Sequence, residues 1–192
     1  HQRTNKTLRL TQSQQFMAQE RVSVEEAYAG DIIGVFDPGC FLIGDTLCNG
    51  KNAFQFEGIP MFPSEHFAEV NAVDSGKRKQ FLKGIKQISE EGAIQVFKQP
   101  DLGVERFTIG VAGALQFEVL EYRLKNEYGV DVRRRNLPYQ FVRWVDGCDD
   151  PGSLNLDSDT RWVQDFRGNN LLLFGGQWSV RWAQEKNPGI SL

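Results

Sequence analysis

Two short basic runs, Lys77-Arg78-Lys79 and Arg133-Arg134-Arg135, carry the strongest chemical signal in this sequence. Clustered guanidinium and ammonium groups suit an anionic partner: Arg grips phosphate with a planar fork, and Lys meets it as a point charge. The first run opens a stretch of helical spacing that closes on Glu90 and Glu91. That order is backwards for the helix macrodipole, and each misplaced exposed charge costs about 0.3–1 kcal/mol at low salt. A basic start kept at that cost is expected where phosphate is met; a screened, solvated surface is the plain alternative. The second run falls on a predicted strand, where alternate residues face opposite ways. Arg133 and Arg135 then share a face, and Arg134 points to the other.

Other chemistry is a poor match to these residues. A phosphate-binding loop needs G-x-x-x-x-G-K-[ST], so that clustered amides and a lysine cradle the phosphates. The nearest stretch, Gly44–Asn52, sets its glycines one residue too far apart and puts Asn52 where a hydroxyl should bind Mg²⁺. The G-x-S-x-G signature of simple hydrolases does not occur. Glu90 and Glu91 are adjacent on a helix end, so their side chains diverge and make a poor acid/base pair. With only His1 and His66 available, a histidine metal site or triad is not expected. Cys40, Cys48 and Cys148 are odd in number and lack C-x-x-C spacing, which fits a reducing cytosol rather than a disulfide framework. No catalytic, cofactor-binding or metal-ligating residue is therefore assigned in this chain.

The elements that must carry the basic runs lie in residues 67–135, which read β-α-β-β-α-β, the ferredoxin-like order. Phe67–Val73 is the first predicted strand, and Ser75 is placed to cap a helix running to about Glu91. Phe81, Leu82, Ile85 and Ile88 give that helix its apolar face, and Gly92 ends it. Ile94–Phe97 and Arg106–Val111 follow as strands, separated by the turn Pro100-Asp101-Leu102-Gly103. A second helix over Ala114–Tyr128 turns Phe117, Leu120 and Leu124 to one side and stops at Gly129. Val130–Arg135 is the fourth strand. Helix, glycine stop and strand thus occur twice.

Residues 1–57 read as short strands broken by turns: Leu8–Leu10, Phe16–Gln19, Val22–Val24, Ile32–Phe36, Phe41–Ile43 and Thr46–Cys48. Gly30-Asp31, Asp37-Pro38-Gly39 and Gly44-Asp45 supply the turns. Close spacing of this kind suggests a β-barrel, though the segment is too short to close one alone. Pro60 and Pro63 mark a semi-rigid linker over residues 58–66. Beyond Pro138, Tyr139–Val145 is a predicted strand, Asp146–Asp159 a polar loop and Arg161–Phe166 a short helix. Asn169–Phe174 is a further strand, and Trp178–Trp182 is either a strand or the start of a helix reaching Lys186. All four tryptophans, 144, 162, 178 and 182, lie in this extension. They are expected to pack it onto the sheet, with a base-stacking platform as the rival.

Bulk properties fit a water-soluble fold. Of the 192 residues, 40% are hydrophobic and 24% charged. No run approaches the roughly 18 apolar residues that span a bilayer, and no signal-peptide pattern opens the chain. A net charge of −3 leaves no global field that would draw the protein to nucleic acid, so RNA contact must come from local patches. A chain opening on His1 rather than Met is expected to be part of something longer.

Together these motifs resemble a family. AGDIIGV (29–35) with IGDT (43–46) is similar to the second, barrel domain of translational GTPases. FEGIP (56–60), KGIKQISEEGAIQVF (83–97), GVAGALQFEVLEYRLKNEYGV (110–130) and RWV (143–145) resemble the bacterial peptide chain release factor 3 family, over nearly the whole length. The resemblance implies a β plus α+β chain. Part of a translation-factor barrel would span 1–57, a linker 58–66, and a C-terminal domain 67–192 with a ferredoxin-like core over 67–135 and an extension over 136–192. It implies a cytoplasmic, ribosome-dependent GTPase that helps class I release factors leave the ribosome. GTP and Mg²⁺ would be held by a catalytic domain outside this chain. The barrel and last domain would touch small-subunit RNA and protein, with Lys77, Arg78, Lys79, Arg133, Arg134 and Arg135 as contact candidates and class I release factors as indirect partners. Neither a membrane nor DNA is implied. The alternatives are a free-standing ferredoxin-like RNA-binding module, a fragment of an elongation-factor-like GTPase, and a small standalone hydrolase or transferase. The first of these needs sheet-surface aromatics, and its third strand offers only Phe107.

Overall fold

The computed structural model describes residues 1–11, 13–17, 20–49, 53–57, 62–99, 107–148 and 151–192. The chain divides into two compact units, His1–Pro60 and Met61–Leu192. Expected features at Gly50–Asn52, at 58–61 in the linker, and at the turn over 100–103 with Arg106 lie outside the described residues. Of the expected linker, His66 already belongs to a strand.

The second unit grows from two helices whose apolar spacing is visible in sequence. Helix α1 (Arg78–Glu90) buries Phe81, Gly84, Ile85 and Ile88, and α2 (Leu115–Tyr128) buries Phe117, Leu120 and Leu124. Gly84 lets them approach closely, because a Cβ there would stand 2.7 Å from Cδ2 of the fully buried Leu124. A short 3-10 turn, Ser75–Lys77, precedes α1. Its cap is Asp74 rather than the expected Ser75: the Asp74 carboxylate accepts the Gly76 amide at 2.8 Å. Gly129 ends α2 in the left-handed conformation (φ 66°), where a side chain would strain the backbone.

Both helices cover one face of strands β3 (His66–Ala72), β4 (Gln95–Lys98), β5 (Phe107–Val111) and β6 (Val132–Leu137). These lie antiparallel in the order β6-β3-β5-β4. Ala68, Val70, Val96, Phe107, Ile109 and Val111 meet the helices in one core. Phe107 is thus buried beneath a helix, not displayed as a base platform.

The extension joins the same sheet instead of packing on it as a separate piece. Strands β7 (Phe141–Trp144), β8 (Thr160–Gln164) and β9 (Asn170–Phe174) continue the order as β4-β8-β9-β7, giving seven strands. Among the described residues a single strand pair, Lys98↔Gln164, links the two halves. Side chains secure what that rung does not: Phe67 and Phe97 from the first half pack with Val142, Val163, Leu171 and Leu173 from the second. A third cluster joins Leu172 and Phe174 to Val180 and Ala183 of α3 (Gln177–Lys186).

Two expectations in the extension change. Arg161–Phe166 is not a helix; its residues fall largely in β8, where Val163 faces the inner cluster and Trp162 the α3 side. That two-residue alternation is strand periodicity, hidden by the short run. The Trp178–Trp182 segment is helical. Trp162 packs as expected, but Trp144 and Trp178 stand exposed.

The first unit holds far less regular pairing. β1 (Gln14–Met17) and β2 (Glu20–Ser23) pair antiparallel, and Gln14 exchanges two backbone hydrogen bonds with Gly34. Leu8–Leu10, Ile32–Phe36, Phe41–Ile43 and Thr46–Cys48 are not strands. Their neighbourhood bonds to nearby carboxylates instead: Asp37 accepts the amides of Gly39, Cys40 and Phe41, and Asp45 accepts that of Leu42 at 2.7 Å. Strand propensity without a partner strand decides little.

Candidate functional site

The register of β3 against β6 fixes where the arginines go. Asn71, Val70 and Glu69 lie opposite Arg133, Arg134 and Arg135. Val70 faces the helices, so Arg134 does too: its Nε meets Glu121 of α2 at 3.1 Å, and its guanidinium sits 5.0 Å over the Phe117 ring. Arg135 faces the other way and pairs with the half-buried Glu69. Arg133 is exposed, with no ion-pair partner among the described residues.

The same end of the unit carries the other basic run. Val73, just past β3, donates its amide to the Asp131 carbonyl just before β6, and Lys77 reaches across to the Gly129 carbonyl. Lys77 therefore caps the C-terminus of α2, where a cation is favoured. A charge that is wrong for its own helix is right for the neighbouring antiparallel one. Arg78 is exposed and is itself engaged in an interaction. Lys79 is exposed on the first turn of α1. Both runs thus lie toward one end of the unit, with Lys79 on the helix side of the sheet and Arg133 on the other, and these two are exposed with no ion-pair partner among the described residues.

The acidic end of α1 is also answered. Arg123 of α2 forks to Glu91 and to Glu127, and Lys86 reaches Glu90 at 3.7 Å. Bonds to Glu127 first and Glu91 second hold the Arg123 proton more tightly than usual. Arg123 in turn holds Glu127 below the ordinary carboxylate range. Burial raises the neighbouring Tyr128 phenol. These are structural clasps; the i,i+4 spacing of Arg123 and Glu127 is visible in sequence, whereas Glu91 comes from the end of α1 and only the fold sets it beside Arg123.

In the first unit, sequence reasoning missed a clasp at Asp45. Arg3 Nε donates to it at 2.6 Å, and His1 Nε2 lies 2.8 Å from its other oxygen. The Arg3 hydrogen bond, ahead of the Leu42 amide, lowers the Asp45 pKa below the usual carboxylate value. His1 Nδ1 also lies 2.7 Å from Thr4 Oγ1. The chain acid–imidazole–hydroxyl has a hydrolase-like order, but Asp45 is saturated by Arg3 and Leu42 and so locks a turn. A carboxylate here also conflicts with phosphate, so the described part of Gly44–Asn52 does not fit a nucleotide. No group of His, Cys, Asp or Glu among the described residues could hold a metal ion, and none of their helices is long and apolar enough to cross a membrane.

Comparisons with known proteins divide the chain in the same order as its units. Residues 56–184 match the family model described as class II release factor RF3, C-terminal domain. Residues 1–50 match that of elongation factor G domain 2. Peptide chain release factor 3 of Symbiobacterium thermophilum is 51% identical over 190 residues, covering 99% of this chain and 36% of that protein. The Gloeobacter violaceus protein of the same name is 42% identical over 192 residues (99% and 36%), and that of Staphylococcus carnosus 44% over 191 (100% and 36%). The chain spans just over a third of the length of these relatives.

Proposed function

We infer the role from one premise: this chain belongs to the peptide chain release factor 3 family. It forms the ribosome-facing portion of a cytoplasmic translation-termination factor that uses GTP to promote departure of class I release factors from the ribosome. GTP and Mg²⁺ are held by the part of the factor that this chain, just over a third of its relatives' length, does not cover. Residues 1–57 form part of a translation-factor barrel. Residues 67–135 form a ferredoxin-like split βαβ core, and 136–192 extend its sheet past β4. The partners are small-subunit RNA and ribosomal protein directly, and class I release factors indirectly.

The observation that carries this reading is the succession of two matches along one chain, a translation-factor second domain followed by a release-factor C-terminal domain. Neither an isolated RNA-binding module nor a standalone hydrolase accounts for that succession. Relatives named as release factors weigh against the elongation-factor alternative. Within the basic end, Lys79 and Arg133 take the phosphate contacts, because Lys77, Arg134 and Arg135 are already engaged.

Co-sedimentation of the complete factor with ribosomes tests this. Lys79→Gln and Arg133→Gln should each weaken association and flatten the log–log salt dependence by about 0.7–0.9 for every phosphate that is no longer neutralised. Unchanged affinity and slope in both variants would remove these residues from the interface. A complete factor that does not associate with ribosomes would overturn the reading itself.

A further inference from the structure

Helix α2 is apolar on two opposite sides. Phe117, Leu120 and Leu124 are buried, while Leu115, Val119 and Tyr122 follow one another at i, i+4 and i+7 along the outer face. These three side chains are 72%, 53% and 69% exposed. Contiguous apolar stripes on a helix are costly to leave in water and mark contact surfaces.

The rim of the stripe states what kind of partner fits. Along one flank stand Glu118 and Glu121 with Lys125; along the other stands Arg123 with Glu127. Every cation here is spoken for: Arg134 holds Glu121, Lys125 holds Asp131, and Arg123 is shared by Glu91 and Glu127. Glu118 has no ion-pair partner among the described residues. One cation between two carboxylates, and one carboxylate alone, leave the rim with negative charge in excess. Such a rim repels phosphate and attracts lysine or arginine. A shallow concavity at the N-terminal end of α2 continues the apolar floor with Leu115 and Leu137, and its edge is mixed, with Glu65 and Glu118 beside an Arg134 that is already paired with Glu121.

We propose that the outer face of α2 docks a basic, apolar-faced protein segment of the ribosomal particle, while the Lys79–Arg133 end takes RNA. The proposal rests on the ribosome reading above and adds which class of macromolecule meets which surface. Tyr122 is its central anchor, since tyrosine delivers large contact area at low rotamer cost. Glu118 sets the charge of the partner.

The test uses the complete factor carrying the photoreactive substitution Tyr122→benzoylphenylalanine, irradiated with purified ribosomes. A covalent adduct to a lysine- or arginine-rich peptide of a ribosomal protein is expected. Tyr122→Ala should weaken association about tenfold with the salt slope unchanged, and Glu118→Lys should weaken it as well, with the melting temperature of each variant unshifted. An adduct to ribosomal RNA overturns the proposal. So does an adduct within the factor when ribosomes are omitted, or no adduct from a factor that still sediments with ribosomes. A factor that no longer sediments at all, with or without the substitution, sinks the ribosome reading and the proposal together.

Discussion

In the first unit Tyr28, Ile32, Phe36 and Ile43 stand in solvent, and order is held by carboxylates that gather amides and cations around Asp37 and Asp45. In the second unit the same residue types are inside: three clusters bury phenylalanines, leucines and isoleucines, and its carboxylates mostly clasp the surface. Hydrophobic burial resists pH and salt, whereas hydrogen bonds to an ionised carboxylate depend on its charge. The two halves of one chain should therefore fail for different reasons.

The sharpest way to break that contrast is a core truncation. Phe107→Ala, beneath α1 and in contact with Phe81, should cost about 3–5 kcal/mol and unfold the second unit at much lower urea. A first unit that keeps its own amide dispersion through that transition would establish the separation. Gly84→Leu comes next. It drives a side chain into Leu124 and Tyr128 and should cost about 1–3 kcal/mol, read in the same titration.

Acid provides the converse experiment. The folded pKa of Asp45 lies below its ordinary value, so its contribution is present above about pH 4, the unfolded-state value, and is lost as the pH falls further through the folded value. Exchange of the Leu42 amide, which donates to Asp45, should accelerate over that window while the buried amides of β5 stay protected. Asp45→Asn should show the faster exchange already at neutral pH and lose the acid dependence. An unaltered Leu42 amide in that variant would assign the turn to something other than the carboxylate.

How much of this was legible in sequence follows from how local each signal is. Phe81, Ile85 and Ile88, then Phe117, Leu120 and Leu124, write the inner faces of both helices in one-dimensional spacing, and Gly92 and Gly129 end them. The opposing directions of Arg134 and its neighbours follow from strand alternation alone. The partners do not: Glu121 and Glu69 come from α2 and β3, and only the fold sets them beside Arg134 and Arg135. Spacing likewise finds Leu120 but does not show that Val119 stays uncovered. β8 is obscured because Thr160, Trp162 and Val163 are all apolar or β-branched on a strand buried from both sides. In the first unit the strand-like runs are real as propensities, but among the described residues only β1 and β2 pair along their length and Ile32–Phe36 gains a single bridge, from Gly34 to Gln14.

The order β6-β3-β5-β4-β8-β9-β7 hides the margin of β4 beneath the extension and leaves β6 at one end. A strand in that position offers free backbone groups to any other chain, a route to runaway stacking between molecules. Three consecutive guanidinium-bearing residues sit on it. Two copies brought margin to margin would bring the two Arg133 side chains, which have no ion-pair partner among the described residues, toward one another, and that repulsion works against the protein polymerising with itself.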